Sequence, residues 1–163
     1  MIRVQEADFD VGAEIEALVG GRQDVGAVVT FTGLVRDFAP AASGAITAMT
    51  LEHYPGMTEK QLAAIEMEAR ARWPLDACLI VHRHGRLTPG ARIVLVVTAS
   101  AHRQAAFEAA EFLVDWLKTR APFWKNEATE SGARWVAAHA DDERAAARWT
   151  ETSGSTPRPG GRD

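Results

Sequence analysis

Lys118 and Lys125 fall in one short segment, Trp116-Leu117-Lys118-Thr119-Arg120-Ala121-Pro122-Phe123-Trp124-Lys125-Asn126-Glu127. The chain carries 18 basic residues, and its remaining lysine is Lys60. A chain that otherwise uses arginine for positive charge has lysine here twice. Arginine keeps its proton in a protein, whereas an ammonium can be tuned to act as acid, base or nucleophile. The alternative is that Lys118 caps a helix end and Lys125 is a solvated charge. Three other positions could bind anions. Arg36 follows the strand-ending Phe31-Thr32-Gly33-Leu34-Val35, where its planar fork could grip an oxyanion. His102 and Arg103 sit at the start of a long helical pattern. A helix N-terminus carries positive partial charge, so cations there are mildly unfavourable unless an anion lies opposite.

The elements that must position these residues can be read from period and punctuation. Residues 10–19 read as a short amphipathic helix ending at Gly20-Gly21, and 25–32 as a β-branched strand stopping at Gly33. Residues 38–44 read as a loop and 45–54 as a strand broken by Pro55-Gly56. A helix is expected after Thr58, with Leu62, Ile65 and Ala69 on one face, ended by Pro74. Strands follow at 77–84 and 92–98, around the turn Thr88-Pro89-Gly90. The second is apolar throughout, which predicts a central strand covered on both faces. Ser100 is expected to cap a long helix whose buried stripe is Phe107, Ala110, Val114 and Leu117, ending before Pro122. Paired strands at 123–129 and 134–138 and a helix at 141–149 complete a single catalytic domain, residues 1–150. The Gly-, Ser- and Pro-rich tail, 151–163, is expected to be disordered. Strands and helices mix without strict alternation, so the class is α+β with a largely antiparallel sheet.

A helix of this length separates His102 from Lys118 by roughly 24 Å at about 1.5 Å per residue. Either one site is an elongated groove, or a second copy of the chain supplies one end.

Composition narrows the function classes. A net charge of −4 argues against general nucleic-acid binding, while residues 82–125 hold seven basic against three acidic side chains, which suits a small anion. The one cysteine, Cys78, excludes an internal disulfide and a cysteine metal site and reads as a small core residue. His82 and His84 alternate, but a two-histidine metal site lacks a third ligand. No stretch is long enough to span a membrane, and the N-terminus lacks a signal-peptide layout, which together point to the cytoplasm.

Four motifs occurring in order carry a family resemblance: Phe31-Thr32-Gly33-Leu34-Val35-Arg36, Leu51-Glu52-His53-Tyr54-Pro55-Gly56-Met57, Ser100-Ala101-His102-Arg103, and Leu117-Lys118-Thr119-Arg120-Ala121-Pro122-Phe123-Trp124-Lys125. The chain resembles the large, catalytic subunit of molybdopterin synthase, an enzyme of molybdenum cofactor biosynthesis, from about Val25 to Trp149. The resemblance implies an α/β-hammerhead fold and a homodimer within a heterotetramer, with a small ubiquitin-like subunit at each end. That partner's thiocarboxylated C-terminal glycine would thread into a pocket of this chain and give sulfur to cyclic pyranopterin monophosphate, forming the dithiolene of molybdopterin. The resemblance makes Lys118 and Lys125 catalytic. It assigns Arg36, His102 and Arg103 to the anion and pterin pocket, and Leu34, Val35, Asn126 and Glu127 to its lining. It implies no cofactor, metal or nicotinamide. One departure stands out: the family pattern predicts an arginine, reaching the neighbouring subunit's pocket, where this chain has His139. The competing reading is a non-catalytic scaffold for a ubiquitin-like sulfur carrier or a pterin protein. Retention of Lys118, Lys125, Arg36, His102 and Arg103 together favours the enzyme.

Overall fold

In this computed structural model, residues 1–37, 46–129, 132–136 and 140–151 are described; for Ile46, Glu127, Thr129, 132–136, 140–142 and Glu151 only the backbone is. The element order is β1 (Ile2–Gln5), α1 (Val11–Val19), β2 (Ala27–Leu34), β3 (Ile46–His53), α2 (Met57–Arg72), β4 (Ala77–Arg83), β5 (Gly85–Leu87), β6 (Arg92–Ser100), α3 (Arg103–Thr119), β7 (Phe123–Thr129), β8 (Gly132–Val136) and α4 (Ala140–Glu151). The strands form two four-stranded sheets, ordered β1-β4-β6-β2 and β5-β3-β7-β8. All pairings are antiparallel except β1 with β4. The α+β class expected from the sequence holds, with the strands divided between two sheets. The short strands β1 and β5 have too few residues to show a period.

As its apolar sequence predicts, β6 is central in the first sheet, and both faces are covered. On one face Ile65, Ala69, Cys78, Ile80, Val96, Phe112 and Leu113 pack under α2 and α3. On the other, Phe9, Leu79, Val81, Leu95 and Val97 pack under Val11, Ile15 and Leu18 of α1. Leu62, Ile65 and Ala69 are buried as expected. Cys78 is a core residue, and burial pushes its thiol up to about 12. Asp10 caps α1 by accepting from the Ala13 amide at 2.7 Å.

Three helix expectations need correction. The N-cap of α2 is Gly56, at a φ of 81°, and Thr58 lies inside the first turn. Glycine takes that left-handed backbone without penalty, and Glu59 reaches back to accept from the Gly56 amide at 2.6 Å. Ser100 is not a helix cap. It is the buried last residue of β6, its hydroxyl donates to the Pro74 carbonyl at 2.8 Å, and His102 is the N-cap of α3. The buried face of α3 is Ala105, Ala106, Ala109, Ala110, Phe112, Leu113 and Asp115, and Phe107 is exposed. Ala110 of the expected stripe is buried, and Val114 and Leu117 pack against the core, so Phe107 is the member that falls outside it. The strand β2 also runs on through Gly33, with a register shift between Gly33 and Leu34.

Asp115 ties α4 down, accepting from the Trp149 indole at 2.8 Å and the Arg148 guanidinium at 2.5 Å. No helix among the described residues is long and apolar enough to cross a membrane. The expected loop at 38–44 lies outside the described residues, as does the tail from 152 onward.

Candidate active site

Because β6 leads directly into α3, the helix returns antiparallel over the sheet. The Thr98 hydroxyl donates to the Ala106 carbonyl near the helix start, and Val114 and Leu117 of its later turns pack, as do Phe31 and Val94, against the core cluster that holds Val96 and Leu113. The register pairs Ala27 with Ser100 and Leu34 with Arg92. Lys118 in the last turn of α3 therefore lies at the same end of the sheet as Leu34 and Arg36, while His102 and Arg103 lie at the opposite end. The 17 residues of α3 separate the two groups by about 25 Å at 1.5 Å per residue.

The two lysines are joined by a short turn. The Phe123 amide donates to the Ala121 carbonyl at 2.8 Å, closing a three-residue turn around Pro122, whose fixed φ suits it. The chain then enters β7, which pairs with β3 so that Phe123 faces His53 and Lys125 faces Leu51. On its other side β7 pairs with β8, placing Lys125 opposite Val136 and Asn126 opposite Trp135. Lys118, Lys125 and Arg36 are exposed, and Asn126 is half-buried.

Val35 differs from its neighbours. Its side chain is buried with Met49, Leu51 and Leu87. Its backbone pairs both ways with the next turn: its amide donates to Ala91 at 2.9 Å and its carbonyl accepts from Gly90 at 2.8 Å. It anchors the segment, leaving Leu34 and Arg36 on either side exposed. Glu127 lies in β7 opposite Met49 and Arg134. His139 lies outside the described residues.

At the far end, His102 caps α3 without a side-chain hydrogen bond to its amides, and no acid occupies the first turn. His102 and Arg103 are both exposed. The approach to this end is tight: a Cβ on Gly26 would lie 2.3 Å from the Ala101 carbonyl oxygen, and the Gly26 amide donates to Ser100 at 3.1 Å. Exposed amides beside two basic side chains can receive a phosphate or carboxylate.

Sequence reasoning missed several residues that support the lysine end. The Thr58 hydroxyl accepts from the Tyr54 amide at 3.1 Å and donates to the Pro122 carbonyl at 3.4 Å, joining two motifs that are remote in sequence. The His82 ring stacks on Phe123 with centroids 3.6 Å apart, and the His53 and His84 rings lie 4.3 Å apart. Burial pulls the His82 imidazole down to about 4, with Lys125, His53 and His84 adding to the effect. The alternation of His82 with His84 was visible; the partner ring on β7 was not. A separate cavity of about 220 Å³ between α2, α3 and α4, lined by Arg72, Phe112, Trp116, Arg120 and Trp149 among others, contains none of the expected site residues.

Residues 4–120 match a family model described as "MoaE protein". The chain belongs to the MoaE family. A family relative from Mesorhizobium japonicum, named molybdopterin synthase catalytic subunit, is 56% identical over 93% of this chain and 94% of its own length. A solved MoaE structure from Burkholderia ambifaria MC40-6 superposes with a TM-score of 0.77 at 50% identity, covering 92% of this chain and 97% of that one. A structure titled molybdopterin synthase from Staphylococcus aureus gives 0.76 at 32% identity, covering 83% and 96%. The residues matched by the family model include α3, with His102–Arg103 at one end and Lys118 at the other, and Lys125 follows just beyond them.

Proposed function

We propose that this chain is the sulfur-transferring catalytic subunit of a molybdopterin synthase. It takes sulfur from the thiocarboxylated C-terminal glycine of a small ubiquitin-like subunit and places it on cyclic pyranopterin monophosphate. The observation that carries this reading is the joining of Lys118 to Lys125 by one proline turn, at the same end of the sheet as Arg36. Sulfur transfer requires a polarised acyl carbonyl, a stabilised thiolate and proton movement. Ammonium groups serve all three needs. Fixed positive charge for the phosphate comes from arginine.

His102 and Arg103 are too far along α3 to join Lys118 in one compact pocket of the same chain. A homodimer within a heterotetramer resolves this, each pocket drawing the lysine end from one copy and the histidine–arginine end from the other. His139 in place of the family's arginine belongs to the same cross-subunit contribution.

The test is discharge of the small subunit. Mixed with the chain and the phosphorylated precursor, the thiocarboxylated partner should be converted to the carboxylate, as read from its intact mass. It should remain charged when the precursor is omitted. Stable binding of the partner without precursor-dependent discharge would instead support the scaffold reading.

A further inference from the structure

Phe123 and Lys125 are alternate residues of β7 and share a face of the second sheet. The Phe123 ring lies against His82 of β4, in the first sheet, at 3.6 Å between centroids and 14° between planes. His53, the register partner of Phe123, lies 6.3 Å from the same ring. The start of β7 is thereby packed against the first sheet just after the chain leaves the turn at Pro122. His82 is oriented in its turn, because its Nδ1 lies 2.8 Å from the Arg83 carbonyl oxygen. A carbonyl only accepts, so Nδ1 carries the proton and Nε2 is left as the acceptor of a neutral ring.

We propose that His82 is a positioning residue for Lys125, its ring stacked on Phe123 and fixing the start of β7 and so the lysine two residues along. The inference deepens the proposed function and rests on Lys125 being a reacting residue. Near neutral pH, burial keeps His82 uncharged. The groups around it are Lys125, His53 and His84, with Glu59 3.8 Å from His53 and Glu6 3.8 Å from His84. An uncharged platform adds no repulsion to the nearby ammonium.

The test compares the reactivity of the three lysines in the folded full-length chain. Trace acetylation, followed by peptide mass spectrometry, reads Lys60, Lys118 and Lys125 separately. His82→Ala should change the Lys125 rate several-fold while Lys60 and Lys118 keep theirs. In the assembled synthase the same variant should lower kcat by about tenfold or more, as expected for a displaced reacting group, with little change in KM. His82→Phe, which keeps the aromatic stack, should return both readouts close to the parent values. If His82→Ala does not fold, His82→Leu takes its place with the same expectations. An unchanged Lys125 rate in a folded variant overturns the positioning role, whatever happens to turnover. A changed Lys125 rate with full turnover shows that Lys125 is not a reacting residue, and the proposal fails for that reason instead.

Discussion

The Thr58 hydroxyl bridges two segments of the site, accepting from the Tyr54 amide and donating to the Pro122 carbonyl. Thr58 is fully buried, so neither contact can be replaced by water without local opening. Pro122 is the centre of the turn between Lys118 and Lys125. The motif Leu51 to Met57 thus reaches the lysine segment through the residue that follows it.

Thr58→Val keeps the shape of the side chain and removes both hydrogen bonds. Each of these bonds is part-buried and worth about 0.5–1.5 kcal/mol. Urea denaturation should show that loss, and turnover should fall with the loosened Pro122 turn. A variant as stable and as active as the parent would make the bridge incidental.

His82 gives the fold a pH dependence of known sign. The unfolded chain takes up the His82 proton near pH 6.5, whereas the folded chain holds it off until about 4. Stability from this group is therefore complete above about 6.5 and falls as the pH drops toward 4, by about 3 kcal/mol at most. His82→Phe should lose less stability than the parent between pH 7 and pH 4.5. Parallel denaturation curves for the two chains across that range would contradict the buried neutral ring.

Lys118→Arg keeps the charge and gives up the proton-transfer chemistry of an ammonium. We expect both Lys118→Arg and Lys118→Ala to lose nearly all sulfur transfer with circular dichroism unchanged. Product formation followed by mass spectrometry checks this. Parental turnover in Lys118→Arg would limit the residue to holding charge.

Arg103→Ala should weaken binding of the phosphorylated precursor more than binding of the protein partner. One charge-assisted contact to phosphate is worth on the order of 1.5–3 kcal/mol. Calorimetric titration of each ligand measures the difference. Equal affinity of parent and variant for the precursor would return Arg103 to the ordinary surface.

Much of this was legible because local rules and tertiary structure agree. Leu62, Ile65 and Ala69 keep a helical period and are buried; Arg92–Ser100 is apolar and central. Lys118 and Lys125 stood out by residue type in an arginine-rich chain. What escaped the sequence depends on contacts between distant segments. Ser100 looks like a helix cap because serine commonly is one, yet its hydroxyl is taken by the Pro74 carbonyl, and the helix starts later. Phe107 was placed on the buried stripe by its spacing with Ala110, Val114 and Leu117, but it is exposed, and Ala106, Ala109 and Ala110 with Phe112 and Leu113 are among the residues of the buried face. The His82–Phe123 stack joins two sheets and has no local signature.

The most direct test of sulfur transfer follows the sulfur atom itself. The small subunit is charged with isotopically heavy sulfur as its thiocarboxylate and mixed with this chain and unlabelled cyclic pyranopterin monophosphate. The product pterin is then weighed. Both dithiolene sulfurs should be heavy, and the label should disappear from the product with Lys118→Ala. A pterin carrying no heavy sulfur, formed while the charged partner is bound to the parent chain, would contradict it.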